Sequence, residues 1–149
     1  MSDQQHIYPV RDDIAAKAWA DKDTYQAMYQ RSVDDPDGFW AEQARQLEWF
    51  KAPSVIKNTS FASNNVDIRW FEDGKLNASV NCLDRHLASR GDRPAIIWEG
   101  DDPTNSKTLT YREVYERTCQ LANALKELGV GKGDTVTLYM PMVPEAAMA

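Results

Sequence analysis

Residues 110–141 constrain the fold of this chain more than any other stretch, and they read TYREVYERTCQLANALKELGVGKGDTVTLYMP. Apolar and aromatic side chains recur there at steps of three and four, which is the spacing of one face of an α-helix. That face comprises Tyr111, Val114, Tyr115, Thr118, Leu121, Ala122, Leu125 and Leu128. Thr110 followed three residues later by Glu113 forms a capping box, which predicts where the helix starts. Gly129 suits the position just after the end, where left-handed backbone is needed.

The residues after this helix predict two further elements. Residues 135–140 alternate in direction without a strongly polar side, which predicts a strand covered on both faces. Pro144 and Glu145 are typical of the first turn of a helix. A helix, a turn, a strand and a new helix in this order indicate an α/β layered domain.

The N-terminal part of the chain is expected to be helical and rich in aromatic residues. Asp23 or Thr24 would cap one helix, and residues 34–37, with Pro36 among three aspartates, would end it and begin the next. The second helix should run to Pro53 with an apolar stripe. Its members are Phe39, Trp40, Ala44, Leu47 and Phe50. Such a stripe favours packing over a cofactor site.

The middle of the chain predicts shorter elements. Residues 54–66 resemble an irregular connection, residues 66–71 a short strand and residues 77–89 a short helix. An apolar strand is expected at residues 95–98, followed by a hairpin-like loop over residues 99–107. The fold class is therefore α/β, with a helical, aromatic-rich N-terminal region followed by the first βα units of a larger, incomplete domain.

Composition and charge exclude several classes of function. The chain has 149 residues and a net charge of −6 with no basic cluster, which argues against nucleic acid or an anionic membrane as a partner. No apolar run approaches the roughly 20 residues needed to span a bilayer. The first ten residues have no features of a secretory signal, so a cytoplasmic location is expected. Cys82 and Cys119 form no C-x-x-C pair, and both are expected to be small core residues.

The motifs that suggest chemistry each have a simpler structural interpretation. Gly129, Gly131 and Gly133 follow a helix and open a strand, which is the reverse of a phosphate loop, so a helix-terminating turn is favoured over nucleotide binding. The Asp84-Arg85-His86 triplet has no nucleophile beside it, and an ion pair plus a hydrogen-bonded histidine is expected. His6 lies in the N-terminal tail without a partner. The acid pairs at residues 34–35 and 101–102 are expected to be solvated turn residues rather than metal ligands.

Several segments together resemble one enzyme family. The runs WFEDGKLNASVNCLDRH from Trp70 to His86, AIIWEGDDP and LTYREVYERTCQLANALKELGVGKGDTVTLYMPMVPE are similar to the N-terminal part of the acetyl-coenzyme A synthetases. These belong to the adenylate-forming, acyl-activating enzymes. The earlier segments SVDDPDGFW and LEWF also resemble that region, so the similarity covers roughly residues 20–149, and its most specific phrase is at residues 76–86.

The resemblance implies a two-step reaction for the full-length family. Acetate and ATP give acetyl-adenylate and pyrophosphate, and coenzyme A then gives acetyl-CoA and AMP, with Mg²⁺ accompanying the nucleotide. The family's phosphate loop, its nucleotide-binding motifs and its catalytic lysine have no counterpart in this sequence. No catalytic, cofactor-binding or metal-binding residue is therefore carried over, and ATP, CoA and Mg²⁺ are not expected to bind these residues. The acyl group stays open between acetate and other short acids.

The expected organisation has three parts: a mobile tail at residues 1–22, the N-terminal region of the synthetases at residues 23–88 and the start of an AMP-binding domain at residues 89–149. In this interpretation the chain is scaffold and inactive by itself. The alternative is a stand-alone interaction module without catalysis. Exposed apolar surface and open strand edges would then allow it to bind a synthetase-like partner or to self-associate.

Overall fold

The computed structural model describes residues 8–149, which form two compact units. The first unit contains residues 8–47 and 52–74, and the second contains residues 48–51 and 75–149. Groups of helices are separated by two pairs of strands along the chain, which confirms the expected mixture of the two and its N-terminal helical region. The expectation for His6 lies outside the described residues. Within residues 8–149, no helix has the length and apolar character needed to span a bilayer.

The first unit begins with three helices: α1 at Asp12–Ala15, α2 at Lys22–Asp34 and α3 at Pro36–Ala44. The start of α2 was predicted wrongly at Asp23 or Thr24, because its cap is Asp21, whose carboxylate accepts the Thr24 N–H at 2.8 Å. The break between α2 and α3 is confirmed. Asp35 caps α3 by accepting the Gly38 N–H at 3.0 Å, and Pro36 follows in the first turn.

Helix α3 is shorter than the aromatic stripe suggested. It ends at Ala44, so the predicted continuation to Pro53 is wrong. Phe39 and Ala44 are buried, whereas Phe50 is 73% exposed. The physical reason is that backbone N–H groups needed to extend the helix donate to another acceptor. The N–H groups of Phe50 and Lys51 both donate to the Lys75 carbonyl within the second unit, so neither continues a helical ladder.

A β-hairpin completes the first unit. Strands β1 at Lys57–Ala62 and β2 at Asn65–Trp70 pair in antiparallel register, with Ala62 opposite Asn65. Strand β2 confirms the expected strand at residues 66–71, but the irregular connection predicted over residues 54–66 is wrong because it contains β1. Its polar composition concealed the pattern, and the two-residue turn at Ser63 and Asn64 contains no glycine to mark it.

The second unit starts with a broken helical segment. The single helix predicted over residues 77–89 is wrong: α4 spans Ala78–Cys82, a 3₁₀ turn spans Asp84–His86 and α5 spans Leu87–Arg90. The break falls at Leu83, whose φ of −122° and ψ of −65° depart from helical values. Asn77 caps α4, because its side-chain oxygen accepts the Ser79 N–H at 2.8 Å.

A second hairpin supports the long helix. Strands β3 at Pro94–Glu99 and β4 at Ser106–Thr110 pair in antiparallel register, which confirms the predicted strand and hairpin loop. Helix α6 at Tyr111–Glu127 follows directly, and α7 at Pro144–Met148 ends the elements. Leu109, Val114 and Met148 are buried and form the core of this unit. Leu83, Ala95 and Ile96 pack against them.

Helix α6 confirms its predicted boundaries at both ends. Thr110 Oγ1 accepts the Glu113 N–H at 3.2 Å, and the Glu113 carboxylate accepts the Thr110 N–H at 2.8 Å, which is the reciprocal capping box. Its predicted buried face is only partly correct, since Val114 is the one buried residue of the helix and Leu128 is 80% exposed.

The segment after α6 differs from the prediction. Residues 135–140 form no strand, so the expectation of a strand covered on both faces is wrong. Val136 is 45% exposed, Leu138 50% and Tyr139 101%. A strand requires a neighbour that accepts and donates its backbone hydrogen bonds, and no strand among residues 8–149 pairs with this segment.

Candidate functional site

The Asp84-Arg85-His86 triplet does not assemble into a catalytic relay. Arg85 donates to Asn81 Oδ1 at 3.0 Å and lies 3.8 Å from a carboxylate oxygen of Glu48. The His86 ring contacts the Tyr111 ring edge-on, with 5.8 Å between the ring centroids. The expected ion pair is therefore present but is made with Glu48, and an aromatic contact takes the place of the expected histidine hydrogen bond. The triplet therefore makes structural contacts with α4 and α6, and it brings no reactive groups together.

Asn81 is the residue in this region that sequence reasoning missed. Its side-chain oxygen accepts the Glu48 N–H at 2.8 Å, and its amide nitrogen donates to the Glu48 carbonyl at 2.9 Å and to the Asn77 carbonyl at 3.1 Å. One carboxamide thus satisfies both backbone groups of Glu48. The only signal in the sequence was an asparagine four residues after the cap of a short helix. We call this set of bonds the Asn81 clamp.

The Asn81 clamp explains what the most specific phrase of the sequence does. Within residues 76–86, Asn77 caps α4, Asn81 holds the backbone at Glu48, and Arg85 donates to Asn81. The backbone of residues 50–51 is also fixed, through bonds with Lys75. All of these groups are therefore engaged in fixing backbone within the second unit. Residues 76–86 therefore hold neighbouring chain segments of the second unit together.

The glycine-rich turn after α6 is a complete Schellman motif. The Gly129 N–H donates to the Lys126 carbonyl and the Val130 N–H donates to the Leu125 carbonyl, each at 3.0 Å, and Gly129 has a φ of 86°. The Gly131 N–H donates to the Asp134 carboxylate at 2.7 Å. The helix-terminating turn is confirmed. These three N–H groups already have acceptors, and a carboxylate beside them disfavours an anion such as phosphate.

A cleft lies between the loop after β3 and the segment before α7. It encloses about 430 Å³, and the Trp98 indole N–H crosses it to donate to the Met142 carbonyl at 2.6 Å. Its polar lining comes from Glu99, Asp101, Asp102 and Asn105. The pKa of Asp102 is held below its usual value because the carboxylate accepts hydrogen bonds from the backbone and side chain of Thr104. Asp102 is thus an ionised turn carboxylate, and both acids of this pair are exposed, as predicted for solvated turn residues.

The thiol positions differ from each other. Cys82 is exposed, so its predicted place in a core is wrong, because it sits at the last turn of the short helix α4. Cys119 is partly buried, and its side chain raises the pKa of Tyr115 through a hydrogen bond and through their charge interaction. On the same face, the Thr118 hydroxyl is buried without a hydrogen-bond partner among the described residues. A tyrosine with a raised pKa stays protonated, which makes it a poor general base.

An aromatic cluster lies in the first unit. The Trp40 ring meets the Phe39 ring at 5.1 Å and the Trp70 ring at 6.0 Å, both edge-on. Trp40, Trp70 and Phe71 line an open, apolar cleft of about 380 Å³. Phe71 has a φ of 51°, an uncommon backbone conformation for a bulky residue. The aromatic rings pack together but leave one side of the cleft open, and the cluster contains no ionisable side chain that could act as a general acid or base.

Metal binding has no support among the residues that the structure describes. No group of three or more His, Cys, Asp or Glu side chains converges anywhere in residues 8–149. Mg²⁺ is held by carboxylate and phosphate oxygens around an octahedral centre. The described side chains do not fit that requirement, and we assign none of them to a metal.

Two family descriptions match consecutive parts of the sequence. Residues 25–82 match the family described as acetyl-coenzyme A synthetase N-terminus, and residues 83–149 match the family described as AMP-binding enzyme. The two matches are adjacent and follow the order expected from the resemblance in the sequence.

Individual relatives carry the same description over almost the whole chain. The acetyl-coenzyme A synthetase of Vibrio cholerae is 60% identical over 146 residues, which is 98% of this chain and 22% of the relative. The enzymes of the same name from Vibrio vulnificus and Marinobacter nauticus are 62% and 54% identical, over 98% and 100% of this chain. The chain thus spans about a fifth of the length of the curated relatives it matches.

Proposed function

Because the chain belongs to the acetyl-coenzyme A synthetase family, as its N-terminal region, we propose that it is the scaffold of an acetate–CoA ligase that forms AMP. The observation that carries the proposal is the identity of 54–62% to named synthetases over nearly every residue. The ordered contacts of the most specific phrase support a structural role, since they end on backbone groups and on neighbouring side chains. The proposed location is cytoplasmic.

The proposed reaction of the complete polypeptide has two steps. An acetate oxygen attacks the α-phosphorus of ATP, which forms acetyl-adenylate and releases pyrophosphate. The sulfur of CoA then attacks the acetyl carbonyl, which forms the thioester and releases AMP. Catalysis of such steps depends on positioning and on stabilising the charge of the transferring group. Mg²⁺ would neutralise phosphate charge, and no side chain in residues 8–149 is given that task.

The parts of the chain have different roles in this proposal. Residues 23–88 are the N-terminal region of the synthetase, and residues 89–149 begin the AMP-binding domain. Helix α6 and the β3–β4 hairpin would then be the first layer onto which later elements of that domain pack. Catalytic and ligand-binding side chains are proposed to lie in polypeptide beyond these residues.

Two samples test the proposal. The 149-residue chain, incubated with acetate, ATP, Mg²⁺ and CoA, should release no pyrophosphate above a blank. A chimera, in which this chain replaces the matched residues of the Vibrio cholerae enzyme, should release pyrophosphate and form acetyl-CoA. Turnover by the chain alone would refute the scaffold role. An inactive but folded chimera would refute the assignment to this ligase.

One structural feature favours a second candidate function. Side chains such as Phe61, Val66 and Met142 are 74%, 68% and 92% exposed, which is unusual for large apolar residues of a finished surface. A stand-alone interaction module would use such surface to bind another protein or a second copy. A monodisperse monomer that unfolds cooperatively and captures no synthetase-like partner would exclude it.

A further inference from the structure

The β1–β2 hairpin has two chemically different faces. The register places Phe61 opposite Val66, Thr59 opposite Ile68 and Lys57 opposite Trp70, and alternation puts these three pairs on one side. The other side presents Asn58, Ser60, Ala62, Asn65, Asp67 and Arg69. We call the side formed by Phe61, Val66, Ile68 and Trp70 the apolar hairpin face.

The polar side satisfies its own hydrogen bonds. Arg69 pairs with Asp67 at 2.9 Å and with Glu72 at 2.7 Å, and Asn58 donates to Glu72 at 3.0 Å. These bonds hold the pKa of Glu72 below its usual value, Asn58 contributing most. The charged groups of this side are therefore paired with one another or with neighbouring polar groups.

The apolar hairpin face is largely exposed to solvent. Phe61 is 74% exposed, Val66 68%, Ile68 54% and Trp70 39%. It continues into the open aromatic cleft through Trp70, which also lines that cleft. An isolated two-stranded hairpin is marginally stable in water and normally needs an apolar partner on one face. The alternation of side chains therefore specifies a buried face that the first unit leaves uncovered.

The size of the face indicates which kind of partner covers it. Two six-residue strands present about 20 Å by 10 Å, or about 200 Å². A stable protein–protein interface buries about 800 Å² on each partner. A second copy of the chain would thus gain too little from this contact alone. A covalently linked segment needs far less area, because the tether supplies a high effective concentration.

We propose that the apolar hairpin face is the docking surface for polypeptide of the same family that lies outside this chain. The relatives are more than four times as long as the stretch they share with it, since the shared residues make up 22% of their length. The occupant is an apolar surface of that remaining polypeptide, held in place by the chain connection. The inference rests on the proposed function, in which this chain is one part of a longer synthetase.

The test compares one substitution in two contexts. Ile68→Asp introduces a charge in the middle of the face, and Ala62→Asp introduces the same charge on the opposite side of the hairpin. Both are made in the free chain and in the chimera with the Vibrio cholerae enzyme, and thermal unfolding midpoints are measured. Ile68→Thr is added because it keeps the β-branched side chain that strands favour.

The docking proposal predicts a difference between contexts. In the chimera, Ile68→Asp should lower the midpoint by about 4 °C or more, because a charge loses its water there. Ile68→Thr should lower it by a smaller amount, and Ala62→Asp by less than about 1 °C. In the free chain, all three should stay within about 1 °C.

Other outcomes overturn the proposal in distinct ways. Equal, small effects of Ile68→Asp and Ala62→Asp in the chimera would mean that the face stays in solvent. A large effect of Ile68→Asp in the free chain would mean that the chain already covers the face itself. Concentration-dependent dimerisation that Ile68→Asp abolishes would identify a second copy as the occupant. An inactive unmutated chimera would remove the proposed ligase function, while its unfolding comparison would still report on docking.

Discussion

Helix α6 and residues 135–140 were both predicted from the periodicity of their side chains, yet only the helix forms. Most bonds at the ends of the helix come from nearby residues, since Glu113 and Thr110 cap each other and Gly129 and Val130 return to the last turn. Only the N–H groups of Tyr111 and Arg112 donate further away, to the carbonyls of Arg93 and Gly91. Residues 135–140 would need a second strand, and none among the described residues pairs with them. The comparison teaches that elements closed by local contacts are encoded within a short stretch, whereas strands also require distant residues.

The largest expected effect concerns the core beneath α6. Leu109→Ala should destabilise the second unit by about 3 kcal/mol, because Leu109 is only 6% exposed and packs with Val114 and Met148. Urea unfolding followed by circular dichroism measures the change. Leu128→Ala is the matched control, since Leu128 is 80% exposed and should cost less than about 0.5 kcal/mol. Equal costs would show that the helix is not held by this core.

The Asn81 clamp sharpens the comparison, because it holds an irregular segment through a distant side chain. Asn81→Ala should cost about 2 kcal/mol, since both backbone groups of Glu48 lose their partner. Hydrogen exchange of the Glu48 amide should accelerate in the same variant. Asn123→Ala on the exposed side of α6 is the control and should not destabilise. An unchanged exchange rate at Glu48 would contradict the assigned role of Asn81.

The C-terminal end of α6 tests whether the Schellman motif contributes to stability. Gly129→Ala should destabilise by about 1 kcal/mol, because a residue with a Cβ is strained at a φ of 86°. Gly131→Ala, at a position without positive φ and with its nearest neighbour at 3.7 Å, should change stability by less than about 0.5 kcal/mol. Thermal unfolding of the two variants makes the comparison. A larger effect at Gly131 would argue against the Schellman motif as the stop signal.

The start of α6 predicts a small pH dependence. The backbone N–H of Thr110, followed by its side chain, lowers the pKa of Glu113 from its usual 4.5. A lowered folded-state pKa means that the stabilisation is present above about pH 4.5 and is lost as the pH falls through the folded value. Glu113→Gln should flatten this part of the profile between pH 6 and pH 3. An identical profile for both proteins would show that the charge does not contribute.

The features that the sequence predicted mostly have causes that lie close together in the chain, although the local cap of α2 at Asp21 was missed. Thr110 and Glu113 are three residues apart, Asp35 and Pro36 are adjacent, and Gly129 directly follows its helix; all of these positions were predicted. Strand β1 was missed because its polar residues show no strand pattern by themselves, and the segment is a strand only through its pairing with β2. The end of α3 was misplaced because Lys75 accepts the N–H groups of residues 50 and 51 from a distance.

The candidate sites follow the same rule. The interpretation of the Gly129–Gly133 turn needed only the order of neighbouring elements, and it is confirmed. The partner of Arg85 could not be inferred, because Glu48 is far away in sequence and the pair forms only when residues 48–51 lie beside α4. Asn81 was overlooked for the same reason, since its backbone partner is 33 residues away.

The bonds of the Asn81 carboxamide imply that positions 48 and 81 differ in how many substitutions they tolerate. Both of its bonds to residue 48 reach main-chain atoms, which every amino acid except proline provides in full. A saturation library should therefore accept many different side chains at Glu48 and very few replacements at Asn81. Proline at position 48 would be the informative exception, because it removes the N–H that the asparagine oxygen accepts.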